Sequence, residues 1–126
     1  MALRDSVAAA NGWEMNEIKY RLRRFATARE WDQFHSPKNL VLALIAEVGE
    51  LAEQFQWLTD EQSVACTPEK LQLIEEELAD VFLYLVRLSD KLNIDLIRAA
   101  HHKIDKNEEK YPVGLVRGSS KKYTEY

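Results

Sequence analysis

The sequence predicts an all-α fold, and three features carry that expectation. Only four glycines and three prolines occur in 126 residues, too few for the many tight turns of an all-β chain. Apolar residues recur at spacings of three and four in four separate stretches, which is the period of a helix. Two pairs, Ser36-Pro37 and Thr67-Pro68, stand where long apolar stretches begin. A Ser or Thr hydroxyl accepts from the free backbone donors of a first turn, and proline is pre-set for the first helical position.

The first helix is expected from about Met15 to Glu30, with Met15, Ile18, Leu22 and Phe25 on one face. The second starts at Ser36-Pro37 and runs to about Trp57, with an apolar stripe of Leu40, Leu44, Val48, Leu51 and Phe55. The third starts at Thr67-Pro68 and runs to about Lys91, with Leu71, Ile74, Leu78, Phe82 and Leu85 in line. The fourth spans about Ile94 to Lys110, with Asn93 as its expected cap, and stops before Tyr111-Pro112. The basic tail that follows is expected to be non-helical. Length and a 46% hydrophobic content fit one domain over 1–126, with 1–13 and 113–126 as less ordered tails.

Val81 to Val86 is apolar or aromatic at every position. A helix apolar all round is buried all round, and a small bundle seldom covers one of its helices so fully. The core is therefore expected to be completed by oligomerisation. The single cysteine, Cys66, has no partner for an intrachain disulfide, and MALRDSVAAANGW lacks the apolar centre of a signal peptide. A cytoplasmic protein is expected. No stretch reaches the roughly 20 apolar residues a membrane-spanning helix needs, so no membrane partner is expected.

The net charge of −4 is unevenly spread. From Glu47 to Asp80 ten acidic residues face one base, Lys70, leaving that window at −9 and the remainder at +5. Such a block repels phosphates unless cations intervene, which argues against a nucleic acid polymer as partner and for bound metal.

The placement of the acids sharpens this expectation. Glu47 lies about 40° from Leu51 around the second helix, with Glu50 one turn beside it. Glu77 and Asp80 share a strip with Tyr84 on the third, bracketed by Leu73 and Leu88. Like charges at i,i+3 repel, and ions beside apolar surface lose hydration, so an uncompensated arrangement is costly. Packing of the second helix against the third would bring the two pairs together around a cation. All-oxygen ligands suit Mg²⁺ or Mn²⁺ rather than Zn²⁺. Glu53, Glu75 and Glu76 read as exposed supporting charge.

The run IAEVGELAEQFQW followed by EEELADVFLYLVRLSDKL resembles the MazG-like pyrophosphohydrolases, and specifically their dCTP pyrophosphatase branch. The likeness extends through FATAREWDQFHSPKNL, KIDKNEEKYP and RGSSKKYT, from about Phe25 to Tyr123. It implies a MazG-like bundle of four main helices in a homo-oligomer, usually a tetramer built as a dimer of dimers. It also implies that Glu47, Glu50, Glu77 and Asp80 are the catalytic, Mg²⁺-holding acids, and that dCTP or a modified dCTP is converted to dCMP and pyrophosphate for nucleotide pool control or sanitation. A carboxylate could orient or deprotonate the water that attacks the α-phosphorus.

Aromatic side chains are the natural partners of a base, and Trp31, Phe34, Trp57 and Tyr84 form the available set, though core or interface packing is the ordinary role of each. The resemblance singles out Trp31, His35, Trp57 and Tyr84 as lining the nucleoside pocket. Tyr84, one turn from Asp80, could abut the sugar and exclude a 2′-hydroxyl. Lys103 and Asn107 match the family as phosphate-side donors, and Arg117, Lys121 and Lys122 could add positive charge. His35 by itself reads as a loop or capping histidine ahead of a ligand contact, and His101 and His102 as surface or interface residues. In one departure, vertebrate-type members carry a histidine where this chain has Leu22, which leaves base selectivity open.

Three rival readings compete with this one. A di-iron carboxylate bundle needs ExxH on two helices, and no glutamate precedes any histidine here by three residues. A non-enzymatic helical adaptor accounts for the apolar third helix but not for acids bordering apolar stripes. A broader dNTP pyrophosphatase acting on dATP, dUTP or damaged nucleotides fits the same residues, because fold kinship does not fix the substrate.

Overall fold

The computed structural model describes residues 2–120 and Thr124, with side chains from Glu14 onward. Lys121 and Lys122 lie outside the described residues. Among these residues the regular elements are all helical: α1 (Ala2–Ala28), a 3₁₀ turn (Asp32–Phe34), α2 (Pro37–Glu53), α3 (Asp60–Ser63), α4 (Pro68–Lys91), α5 (Leu96–Lys110) and α6 (Val113–Val116). The chain divides into two compact units, Met1–Asn93 and Ile94–Tyr126.

In the first unit α4 is the central helix, packed by α2 and by α1. Its buried side chains are Ala26, Leu40, Ile74 and Val86, with Arg87 as the buried charged residue. Leu40 and Val86 are almost fully enclosed, and burying each such side chain contributes about 1.5–3 kcal/mol. The helix starts follow from local chemistry. Ser36 Oγ accepts from Asn39 N at 3.2 Å, Thr67 Oγ1 accepts from Lys70 N at 3.2 Å, and proline follows each.

Four boundaries depart from expectation. The backbone of α1 is helical from Ala2, consistent with the strong helix propensity of its alanine-rich start. Helix α2 ends at Glu53, and Thr59 and Gln62 form a reciprocal capping box at 2.9 and 3.1 Å that opens α3, an extra turn the apolar pattern does not mark. Asn93 is not the cap of α5. It sits at φ 55°, the left-handed conformation that ends α4, and Asp95 caps α5 by accepting from Arg98 N at 3.0 Å. In the second unit, Val113–Val116 forms one helical turn where a non-helical tail is expected, and Pro112 before it holds φ at −58°.

The apolar stripe of α4 is only partly covered. Ile74 is buried, but Leu71 and Leu78 are more than half exposed, with Phe82 and Leu85 at 38% and 37%. Leu42 and Ile45 on α2 are likewise exposed. A helix with two apolar faces needs partners on both, and among the described residues of its unit α2 and α1 are its main partners. None of the described helices is long and apolar enough to cross a membrane.

Candidate metal centre and nucleotide cleft

Three of the four carboxylates that the sequence singles out converge. Glu47 on α2 and Glu77 and Asp80 on α4 each offer an oxygen within 4.8 Å of the others. Both glutamates are half-buried, and Glu47 Oε2 and Glu77 Oε2 are enclosed with no hydrogen-bond partner. An orphaned buried carboxylate oxygen costs free energy, and here two belong to one acidic group. Burial and then the neighbouring Glu50, Asp80 and Glu77 charges push the Glu47 carboxyl up to about 7. Burial and the Glu50, Asp80 and Glu76 charges raise Glu77 as well. Glu50 stands outside the three-oxygen group but acts on both glutamates. This donor set, all oxygen with too much negative charge for its burial, fits a hard divalent cation.

The raised carboxyls make stability depend on pH in a definite direction. An unfolded glutamate titrates near 4.5 and the folded Glu47 near 7, so the folded state holds its proton more tightly. That contribution is complete below the unfolded value and drains away as pH rises through the folded one. Glu77 acts with the same sign, whereas His35, whose pKa is lowered, acts oppositely below its ordinary value of 6.5. Relative to Glu47→Gln, which has no titrating group there and leaves His35 in place, the chelator-treated protein should therefore lose melting temperature between about pH 5 and 8. Calorimetry at several pH values checks this, and a relative gain over that range would contradict it.

Beside the carboxylates lies a cleft of about 540 Å³ lined by Ile18, Arg21, Leu22, Phe25, Trp31, His35, Asp80, Leu83, Tyr84 and Arg87. Asp80 belongs to both the acidic group and the cleft wall. Tyr84 borders them too: burial first, then the Glu47 and Asp80 charges, raises its hydroxyl pKa and keeps it protonated. Asp80, Leu83, Tyr84 and Arg87 stand at i, i+3, i+4 and i+7, which sets them on one face of α4.

The rim is built by the end of α1. Glu30 adopts φ 54°, Trp31 N donates to Ala26 O at 2.9 Å, and Glu30 N donates to Thr27 O at 3.1 Å. This is a Schellman stop, in which the residue after the left-handed position commonly packs back on the last turns. Trp31 does so, meeting Phe25 edge-on at 5.6 Å, while the Arg29 guanidinium covers the Phe25 ring at 3.6 Å. The following 3₁₀ turn is closed by His35 N donating to Asp32 O at 3.1 Å, and Asn39 Nδ2 donates to Phe34 O at 3.0 Å. His35 thereby reaches the cleft from a segment anchored at both ends.

Of the residues expected to bind substrate, the cleft gathers Trp31, His35 and Tyr84. Trp57 is outside it and 86% exposed, and Phe34 is outside it as well. Lys103 and Asn107 are exposed on α5 of the second unit, one turn apart, and Arg117 follows α6. Sequence reasoning missed Arg21 and Arg87. Arg87 left a signal, since it is the one cation closing the apolar run Val81 to Val86. Leu22, the position of the noted departure, lies in the cleft wall.

The MazG-like family matches residues 42–126. The chain is 47% identical to dCTP pyrophosphatase 1 of Rattus norvegicus and 46% identical to that of Homo sapiens, each over 113 residues, or 88% of this chain and 66% of the relative. It thus spans just under two thirds of the length of these curated relatives. A solved pyrophosphatase from Archaeoglobus fulgidus superposes with a TM-score of 0.75 at 40% identity, covering 79% of this chain and 93% of that one. The family match covers more than half of the sequence, and the chain belongs to the MazG-like family.

Proposed function

We propose that the protein is a divalent-cation-dependent nucleoside triphosphate pyrophosphohydrolase that converts dCTP, or a modified dCTP, and water to dCMP and pyrophosphate. The observation that carries this reading is Asp80, which joins the acidic group to a cleft walled by aromatic side chains. The names of the rat and human relatives supply the base.

Glu47, Glu77 and Asp80, with Glu50 beside them, would hold Mg²⁺, or Mn²⁺ in its place. The ion would offset phosphate charge and polarise the phosphoryl oxygens. The chain's own residues divide the remaining work. Trp31 offers a ring to the base, and Phe25, itself covered by Arg29, packs edge-on against that ring. Tyr84 stands between the acids and the aromatic end, where the sugar would lie. Trp57, Lys103 and Asn107 are proposed as further substrate contacts. The physiological role proposed is nucleotide pool control or sanitation in the cytoplasm.

Two experiments test this. Incubation with a panel of dCTP, 5-modified dCTP, CTP, dATP and dUTP plus Mg²⁺ should yield dCMP and pyrophosphate from the cytosine deoxynucleotides with the highest kcat/KM. A preference for dATP or dUTP would assign the broader activity, and absence of turnover with unchanged melting temperature in Mg²⁺ would favour an adaptor. The exposed stripe of Leu71, Leu78, Phe82 and Leu85 supports a homo-oligomer, proposed as a tetramer of paired dimers. Light scattering at micromolar concentration should give a multiple of the 14.6 kDa chain mass, and a monodisperse monomer would refute the assembly.

A further inference from the structure

Arg87 is the buried charged residue of the first unit, 6% exposed, and its guanidinium serves three groups. Nε donates to His35 Nδ1 at 3.2 Å, Nη2 donates to Asp32 Oδ1 at 2.5 Å, and Nη1 lies 3.8 Å from Asp90 Oδ2. Both carboxylates have a second cation: Lys91 Nζ donates to Asp32 at 2.6 Å, and Arg23 grips Asp90 at 2.7 and 2.5 Å. Of the three partners, His35 alone depends on Arg87.

A guanidinium carries only donors and does not deprotonate in proteins, so the ring nitrogen facing it must be an acceptor. In a neutral imidazole the proton then sits on the other nitrogen, Nε2. Among the described residues no group hydrogen-bonds to Nε2. The imidazolium form is opposed by burial and by the Arg87 and Lys91 charges, which outweigh the Asp32 carboxylate and lower the pKa of His35.

We propose that Arg87 is a positioning residue that locks His35 as the Nε2–H tautomer, so that His35 offers the cleft one donor and no acceptor. Its ligand group must then be an acceptor. Resting on the nucleotide reading above, that group is a carbonyl oxygen or ring-nitrogen lone pair on the base edge, and not an exocyclic amine. Cytosine offers such an edge in O2 and N3. Selection of the base thus depends on Arg87 through the hydrogen bond it donates to His35.

Long-range ¹H–¹⁵N NMR on the intact protein, free of metal and nucleotide, tests the tautomer without requiring any activity. Expected at about pH 7 is a His35 ring protonated at Nε2 and lone-paired at Nδ1. In Arg87→Met, which leaves Asp32 and Asp90 each with a cation, the Nδ1–H form should become populated and His35 should titrate at higher pH. A wild-type ring protonated at Nδ1, or one unaffected by the substitution, would overturn the proposal. The wild-type spectrum decides the tautomer even if Arg87→Met does not fold. The second arm is kinetic: Arg87→Met should raise the KM for dCTP about tenfold with kcat little changed, the size of one misdirected hydrogen bond. The expected tautomer with an unchanged KM would refute the role in base selection. Failure of the wild-type protein to turn over dCTP would instead refute the functional reading and leave the NMR result standing.

Discussion

Glu47→Gln and Asp80→Asn are expected to lower kcat/KM for dCTP by at least about a hundredfold while leaving the metal-free melting temperature unchanged or higher. The reason is electrostatic. Glu47 and Glu77 each bury a carboxylate oxygen with no hydrogen-bond donor, and burial, followed by the neighbouring Glu50 and Asp80, raises both pKa values. Neutralising one member relieves the others in the absence of a cation. The same variants should lose the rise in melting temperature that Mg²⁺ gives the wild type, since binding to the folded state is what produces that rise. A structural role predicts the reverse pattern, because removing one partner of a satisfied buried ion pair typically costs about 3–5 kcal/mol. Thermal unfolding with and without Mg²⁺, set beside turnover, separates the two.

The second large effect concerns the sugar. The wild type is expected to favour dCTP over CTP, because Tyr84 is half-buried, held neutral beside Glu47 and Asp80, and lines the same cleft as Trp31. A 2′-hydroxyl would have to enter against the Tyr84 ring. Tyr84→Ala should shrink the ratio of kcat/KM values for dCTP and CTP by about tenfold, equivalent to about 1.4 kcal/mol. Tyr84→Phe keeps the ring and should keep most of the ratio. Equal kcat/KM for the two nucleotides in the wild type would remove the steric argument.

The parts of this arrangement that were legible in the sequence are those written in local chemistry. Ser36-Pro37 and Thr67-Pro68 mark helix starts because capping and φ restriction act within four residues. The acids stand out because i,i+3 spacing beside an apolar stripe is unfavourable without a cation, and Glu47, Glu77 and Asp80 do converge. The wall of the cleft is different. Trp31 is aimed by a left-handed Glu30, a conformation that glutamate does not advertise. Arg87 meets Asp32 and His35 across more than fifty residues of sequence, a pairing that no local period encodes. The α4 stripe was legible as apolar, but one chain leaves Leu71, Leu78, Phe82 and Leu85 at least partly uncovered, because periodicity reports that a face must be buried and not by whom.

The central claim is that Glu47, Glu77 and Asp80 form one cation site. Electron paramagnetic resonance of Mn²⁺ tests it directly, because the signal of the free ion falls as protein takes it up. The wild type should quench that signal and release Mn²⁺ again when Mg²⁺ is added, and Glu77→Gln should leave it nearly undiminished at the same concentrations. Equal uptake by the wild type and by folded Glu77→Gln would place the metal elsewhere and contradict the account.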